Sequence, residues 1–288
     1  MTEDEFENHE TDPEEVSEQG RFLVDAGEMK HVIHYGDITT PIDFPSTFDL
    51  SKPIEIDIGC GLGRFILARA QANPDIQYVG VERLLPRVRK IDKKATRLGL
   101  KNLFLIRLEA TYTLQYLLPE HSISRFYLFF PDPWPKRRHA RHRIFNADFR
   151  SLIWSRLVPN GELQVATDSL DYFADMERQM ADDARFERVP AMDRPPEQQT
   201  DFERIFRAKG QPIGAGGYRA RTADEIGADV LARYAEEDEA RQRYFWEHEM
   251  PHESEDDSGE EEDENASGDS RSDVEQAAEA EERDGEGR

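Results

Sequence analysis

A glycine-rich turn is the first stretch of this sequence that is suited to chemistry. Gly59, Gly61 and Gly63 are spaced as GxGxG and begin at the end of the strand candidate IEIDIG, residues 54–59. Glycine is needed where backbone approaches a ligand closely or adopts a positive φ angle, although a tight strand-to-helix turn has the same requirement. A dinucleotide fingerprint would place a small residue at position 64, where this chain has Arg64. The spacing therefore argues against NAD and fits S-adenosylmethionine.

Three acidic residues each lie at or near the end of a predicted strand. Glu82 lies 19 residues after Gly63 and can accept hydrogen bonds from both hydroxyls of a ribose. Glu109 can accept a hydrogen bond from an adenine amine, and Asp57 can hold the amino group of the cofactor directly or through water. Each acid alone could be an ordinary surface carboxylate, but three at successive strand ends indicate one cofactor site.

The second stretch suited to chemistry is FFPDPWPKRRHARHR, which runs from Phe129 to Arg143. Its three prolines end a predicted strand and stiffen the backbone, so we expect Asp132 to have a fixed orientation at the mouth of the cofactor site. Trp134 offers a flat apolar face, and basic residues follow it from Lys136 onwards. A stacking ring beside basic side chains is typical of a site for an unstacked base and its phosphates, with a solvated basic loop as the alternative.

Two residue types that often do chemistry receive no such role. Cys60 has no His–carboxylate partner nearby in sequence, so we interpret it as a small buried residue of the turn and not as a nucleophile. As the single cysteine of the chain, it also excludes an intrachain disulfide. His139 and His142 lack further ligands at metal-site spacing, so we expect no metal.

Alternating apolar runs and helical periods supply the elements that must position both stretches. Strands are predicted at 54–59, 76–82, 102–110, 123–130 and 162–168. Helices are predicted at 63–73, 83–98, 145–158, 170–184 and 200–210, with a turn at 159–161 and a Gly-rich loop or weak strand after residue 210. This alternation predicts an α/β fold, in which a mostly parallel sheet has helices on both faces and ligands bind beyond the carboxyl ends of the strands.

The acidity of the chain is concentrated at its two ends. The net charge is −24, of which residues 1–20 carry −9 and residues 253–288 carry −14, so residues 21–252 carry only −1. We expect disordered acidic tails at 1–20 and 253–288, a folded domain at 21–220 and a helical extension at 221–252. The sequence shows neither a signal-peptide pattern nor an apolar run long enough to span a bilayer, so we expect a soluble cytoplasmic protein.

Together the motifs resemble those of the bacterial tRNA (guanine-N7)-methyltransferase family. The shared features are DIGCGLGRF, YVGVE, the highly specific FFPDPWPKRRH, VATD and TDFERIF with KGQPI, in family order across about residues 50–213. The resemblance implies a class I S-adenosylmethionine-dependent methyltransferase fold, which is Rossmann-like. It further implies methyl transfer from S-adenosylmethionine to N7 of a guanosine in the variable loop of tRNA, at position 46, forming 7-methylguanosine.

The resemblance also implies roles for individual residues. It makes Asp132 the catalytic residue and assigns cofactor contacts to Asp57, Glu82, Glu109 and Asp132. It assigns substrate contacts to Lys136, Asp168, Thr200, Asp201, Phe202 and Glu203. The family usually has Glu at the position of Asp57, and Asp or Asn at that of Glu109, so the reach of both side chains differs. The implied partner is tRNA, without a membrane or an obligate protein partner.

Two other classes of function remain open from the residues. A small-molecule or protein methyltransferase on the same fold would explain the glycines and Glu82, but not the basic run beside Trp134. A non-catalytic RNA-binding module would explain the basic run, but not three acids at successive strand ends.

Overall fold

A seven-stranded sheet forms the centre of the structure, a computed structural model that describes residues 29–35, 40–135 and 137–248. The strands are β1 Ile54–Ile58, β2 Gln77–Val81, β3 Leu103–Ile106, β4 Ile123–Phe129, β5 Leu157–Thr167, β6 Phe186–Val189 and β7 Gly214–Ala220. Their order across the sheet is β3-β2-β1-β4-β5-β7-β6. Strands β1 to β5 are parallel, and β7 is antiparallel to both of its neighbours. The predicted mostly parallel sheet is confirmed.

Helices cover both faces of this sheet. They are α1 Phe44–Thr47, α2 Arg64–Ala72, α3 Leu85–Leu98, α4 Ala110–Tyr112, α5 Ala147–Arg156, α6 Leu170–Ala181, α7 Asp201–Ala208, α8 Ala223–Ile226 and α9 Ala228–His248. Buried side chains of α2, α3 and α7 pack on one face, and those of α1, α5 and α6 pack on the other. Both β1 and β2 are buried along their whole length, as expected for strands covered on both sides.

The connection into β5 differs from the sequence prediction. The predicted turn at 159–161 lies within β5, where Asn160 has a φ of 65°. Ile123 pairs with Leu157, but Arg125, only two residues further along β4, pairs with Glu162. The extra residues of β5 form an irregularity in the ladder, so the turn residues interrupt the pairing locally without ending the strand.

The segment after β7 is helical, and α9 packs against α5 and the turn between α6 and β6. Arg241 Nε donates a hydrogen bond to Asp148 Oδ1 at 2.8 Å, and the backbone N–H of Ala184 donates to the Tyr234 hydroxyl at 2.8 Å. The Arg185 guanidinium lies 4.3 Å from the centre of the Tyr234 ring. No helix among the described residues combines the length and apolar character needed to cross a membrane.

Candidate active site

The glycine turn between β1 and α2 has the backbone shape that its sequence predicts. Gly59, Gly61 and Gly63 have φ angles of 71°, 58° and 77°, a region that side-chain-bearing residues rarely adopt. A Cβ atom built on Gly59 or Gly61 would meet nothing within 4 Å, whereas one on Gly63 would lie 2.7 Å from the Ile91 side chain of α3. Two glycines therefore border open space in which a ligand can lie, and the third allows α3 to pack closely.

Glu82 is held in place directly after β2. Its carboxylate accepts hydrogen bonds from the backbone N–H of Gly61 at 3.1 Å and from that of Leu84 at 2.9 Å. Arg87 Nη1 lies 3.8 Å from one of its oxygens. A carboxylate offers about four acceptor sites, so two backbone donors still leave capacity for the hydroxyls of a ribose. These bonds fix the acid beside the glycine turn, where the predicted ribose contact would be made.

Asp57 is a buried acid on β1, with its side chain on the same face of the sheet as α2. Burial and the nearby Glu82 carboxylate raise the pKa of Asp57 to about 8. Burial removes water from the charged form, and the negative charge of Glu82 repels it. A cationic amino group placed beside Asp57 would restore the ionised form. Burial, together with the nearby Asp57 and Glu82, raises the pKa of the Cys60 thiol well above its usual range. A raised pKa disfavours the thiolate that a nucleophile requires.

The raised pKa of Asp57 predicts that S-adenosylmethionine binding releases a proton. Below pH 8 the carboxyl is mostly protonated in the free protein, and an ammonium group beside it lowers its pKa, so affinity should rise with pH until the amino group of the cofactor itself loses its proton, at about pH 8, and should fall above that pH. The increase should approach about tenfold per pH unit between about pH 6 and 7. Calorimetry in buffers of different ionisation enthalpy measures the released protons. Asp57→Asn is the control, and equal proton release by this variant and the wild type would contradict the prediction.

Glu109 lies beyond β3, at the N-terminal end of α4. Its side chain accepts a hydrogen bond from the backbone N–H of Tyr112 at 2.9 Å and thereby caps the helix. The predicted strand at 102–110 ends earlier, at Ile106, so Glu109 starts a helix instead of ending a strand. Glu109 is half-buried and follows β3, the strand next to β2, which Glu82 follows. Its contact with an adenine amine stays a prediction.

Asp132 is exposed in the loop that follows β4, between two residues with unusual backbone angles. Phe130 has a φ of 55° and Trp134 a φ of 41°. Such angles cost about 1–3 kcal/mol each for a non-glycine residue and persist only where the surrounding structure enforces them. The Phe130 N–H donates to the carbonyl of Ala166 at 2.7 Å, which ties the loop to β5. Asp168 follows β5 at the same edge of the sheet, half-buried.

Trp134 packs against two histidines of the basic stretch. The centres of the His139 and His142 rings lie 5.9 and 5.0 Å from the centre of the Trp134 ring. Arg138 and Arg141 are exposed. The flat face expected of Trp134 is thus partly covered by its own loop. The predicted substrate contact of Lys136 lies outside the described residues.

The run from Thr200 to Phe202 begins α7 and contacts both halves of the site. Thr200 caps the helix. Asp201 lies 3.9 Å from Nε of Arg64, the first residue of α2 after the glycine turn. The Phe202 ring stacks on that of Phe130, with centres 6.1 Å apart and planes 22° from parallel. The start of α7 therefore contacts both the helix that follows the glycine turn and the loop that contains Asp132.

Glu203 is fully buried, with 0% of its side chain exposed, and it is bound to two arginines. Arg194 donates to it from Nε at 2.6 Å and from Nη2 at 3.2 Å, and Arg207 donates from Nη2 at 2.8 Å. The Arg194 guanidinium also lies 4.5 Å from the centre of the Phe129 ring of β4. This placement favours a positioning role for Glu203 over direct contact with a substrate. Arg194 was missed by the sequence reasoning, because nothing near it in sequence indicates its partner.

The residues at this edge of the sheet fit S-adenosylmethionine, whose sulfonium supplies an electrophilic methyl group. The glycine turn leaves space, Glu82 is an anchored acceptor, and Asp57 is a buried acid that a cation would stabilise. Among the described residues, no group of three or more His, Cys, Asp or Glu side chains could hold a metal ion. The roles of the individual residues remain predictions.

Comparison with known proteins agrees with the motifs. A family model described as a putative methyltransferase matches residues 51–215. The tRNA (guanine-N(7)-)-methyltransferase of Halorhodospira halophila is 38% identical over 185 residues, which cover 62% of this chain and 80% of that protein. The enzyme of the same name from Chromohalobacter salexigens is 34% identical over 177 residues, 59% of this chain and 70% of its own. With its class I methyltransferase fold, the chain belongs to the tRNA (guanine-N7)-methyltransferase family.

Proposed function

We propose that the protein transfers a methyl group from S-adenosylmethionine to N7 of a guanosine in tRNA, at position 46 of the variable loop. One observation supports this most strongly: the glycine turn with its anchored Glu82 shares an edge of the sheet with the Asp132 loop, and a basic turn at Arg137–His142 follows that loop directly. The candidate site for the methyl donor and the candidate site for nucleic acid thus adjoin. The names of the relatives agree with this combination.

The chemistry requires alignment more than proton transfer. N7 of guanine has an in-plane lone pair and no proton to lose, so it needs no general base. N7 displaces the sulfur of S-adenosylmethionine at the methyl carbon, so it must lie in line with the sulfur–methyl bond that breaks. Holding N7 in that line can lower the barrier by about several kcal/mol. In this proposal Glu82 and Asp57 hold the cofactor, and the loop around Asp132 holds the base.

Asp132 has two roles in the proposal. Its carboxylate accepts hydrogen bonds from the N1–H and the amino group of guanine, which selects guanine over adenine because adenine lacks both donors at that edge. Its negative charge also favours the cationic 7-methylguanine as positive charge develops on the base.

The rest of the tRNA binds through the exposed arginines of the basic turn. Arg138 and Arg141 are exposed, and in this proposal they contact phosphates, which makes the affinity for tRNA dependent on salt. The target base must leave its stack before transfer, as bases modified by enzymes commonly do. We further propose that the protein acts in the cytoplasm, without a membrane or an obligate protein partner.

The decisive experiment incubates the protein with labelled S-adenosylmethionine and unmodified tRNA, and then maps the labelled base. We expect one 7-methylguanosine in the variable loop, and no label in a tRNA with adenosine at that position. Transfer only to proteins or small molecules would support the first alternative class. Specific tRNA binding without transfer would indicate a non-catalytic RNA-binding module.

Replacing Glu82 with glutamine tests the cofactor site separately from tRNA. The variant keeps the shape of the side chain but loses a charged acceptor, whose hydrogen bonds are worth about 1.5–3 kcal/mol. We expect the affinity for S-adenosylmethionine to fall at least about tenfold in calorimetry, with tRNA affinity unchanged. Glu239→Gln, an exposed change on α9, is the matched control. Unchanged cofactor affinity in the Glu82 variant would remove this residue from the site.

A further inference from the structure

One arginine of the basic stretch, residues 136–143, is turned toward the protein. The Arg143 side chain is 18% exposed, whereas Arg138 and Arg141 are exposed. All three would be grouped as phosphate contacts from their sequence positions alone. The different burial of Arg143 indicates a different role.

Arg143 connects the Asp132 loop to helix α6. Its Nε donates a hydrogen bond to the carbonyl of Pro133 at 2.8 Å. Its guanidinium carbon lies 4.6 Å from the centre of the Tyr172 ring, and its Nη1 lies 3.6 Å from Asp175 Oδ2. Tyr172 and Asp175 both belong to α6, so a single side chain joins the helix to the residue next to Asp132.

The loop has few backbone N–H groups of its own. Three of the five residues from Pro131 to Pro135 are prolines, which have no backbone N–H to donate. The carbonyls therefore carry much of the hydrogen bonding open to the backbone of these five residues, and a charged donor makes a stronger hydrogen bond to a carbonyl than a neutral one does. The positive φ angles of Phe130 and Trp134 also require enforcement from outside the loop.

The surface on which Arg143 rests is rigid. Tyr172 is fully buried, and its hydroxyl accepts a hydrogen bond from the backbone N–H of Phe145 at 3.2 Å. The ring therefore offers a fixed face to the guanidinium, and stacking on a desolvated ring adds to the attraction.

We propose that Arg143 is a positioning residue for Asp132 and not a contact for the phosphate backbone. This inference rests on the proposed methyl transfer to tRNA. Releasing the Pro133 carbonyl would let Asp132 move relative to the guanine base, and small displacements of an aligning group lower the rate of the chemical step strongly. The binding of tRNA phosphates would remain as it is.

The test compares kcat at saturating tRNA with the salt dependence of tRNA binding. For Arg143→Gln we expect kcat to fall about 10- to 100-fold, with the tRNA dissociation constant and its dependence on salt unchanged. For Arg141→Gln we expect weaker tRNA binding and a slope of log Kd against log salt that is smaller by about 1. Arg178→Gln removes an exposed arginine that pairs with the same Asp175, and it should change neither quantity.

A second variant tests the same connection from α6, in case Arg143→Gln does not fold. Asp175→Asn removes the ion pair to Arg143 without touching the basic stretch. If Arg143 positions the loop, this change lowers kcat and leaves tRNA affinity unchanged. If Arg143 binds phosphate, releasing it from Asp175 strengthens tRNA binding, and that result would overturn the inference.

The wild-type reaction in the same assay separates this inference from the proposed function. A wild-type protein that transfers no methyl group to tRNA would refute the proposed function, and the inference would fall with it. An active wild type with a normal kcat and a reduced salt slope in Arg143→Gln would refute the inference alone.

Discussion

Asp132→Asn is expected to lower kcat for methyl transfer at least about 100-fold while tRNA binding stays measurable. The change removes the charge that would favour a cationic product and converts part of the acceptor edge into a donor. Both effects act on the bound base. The proposed phosphate contacts lie outside this loop, so affinity for tRNA should change little. Single-turnover kinetics at saturating cofactor and tRNA measure the effect on the chemical step.

Asp182→Asn is the matched control for this variant. Asp182 is an exposed aspartate at the end of α6 that leads into β6, and its replacement should leave kcat unchanged. A near-normal rate for Asp132→Asn would remove the catalytic role from this residue. A loss of tRNA affinity with an unchanged kcat would instead indicate that Asp132 serves only to bind.

Arg194→Met is expected to lower both the stability of the protein and its activity. The change leaves Glu203, which is 0% exposed, with Arg207 as its remaining charged partner. Breaking a buried ion pair by removing one partner costs about 3–5 kcal/mol, and Arg207 should reduce this to about 2–4 kcal/mol. Because the pair holds α7 against β4, methyl transfer should fall as well. Urea denaturation followed by circular dichroism measures the free energy of unfolding.

The double variant Arg194→Met/Glu203→Met separates the two roles of Glu203. With both charges removed, no buried charge is left unpaired, so the double variant should be more stable than Arg194→Met alone. Recovery of activity in the double variant would make Glu203 a positioning residue, whereas continued inactivity would favour direct contact with the substrate. Arg207→Gln is a control, because this arginine is half-exposed, and it should lower the free energy of unfolding by at most about 1 kcal/mol. A double variant less stable than the single one would contradict the positioning argument.

The parallel core and the first half of the site could be predicted from sequence. Strands buried on both faces appear as continuous apolar runs, and the carboxyl ends of parallel strands meet at one edge. For that reason Glu82 and the glycine turn could be placed together although 19 residues separate Gly63 from Glu82. The positive φ angles of the turn follow from the glycines themselves.

The last two strands could not be predicted in the same way. The strand β7 reads GAGGYRA, a composition poor in strand-forming residues, and β6 has only four residues. The glycines of β7 make room for neighbours: a Cβ on Gly217 would lie 2.5 Å from the Pro190 carbonyl oxygen, and one on Gly214 would lie 2.4 Å from the Phe173 ring. The strand forms because β5 and β6 pair with it on either side.

The sequence by itself determined the fold class, the order of the motifs and the kinds of side chain at each strand end. Only the tertiary structure decided which of these side chains are exposed and which are paired inside the protein. Arg143 and Arg141 are indistinguishable in a basic run, and Glu203 looks like any acid on a polar helix. What sets Arg143 and Glu203 apart is their pairing with Asp175 and Arg194, which packing brings near them. Local patterns report the periodicity of neighbouring residues, whereas burial and pairing depend on contacts between segments far apart in the chain.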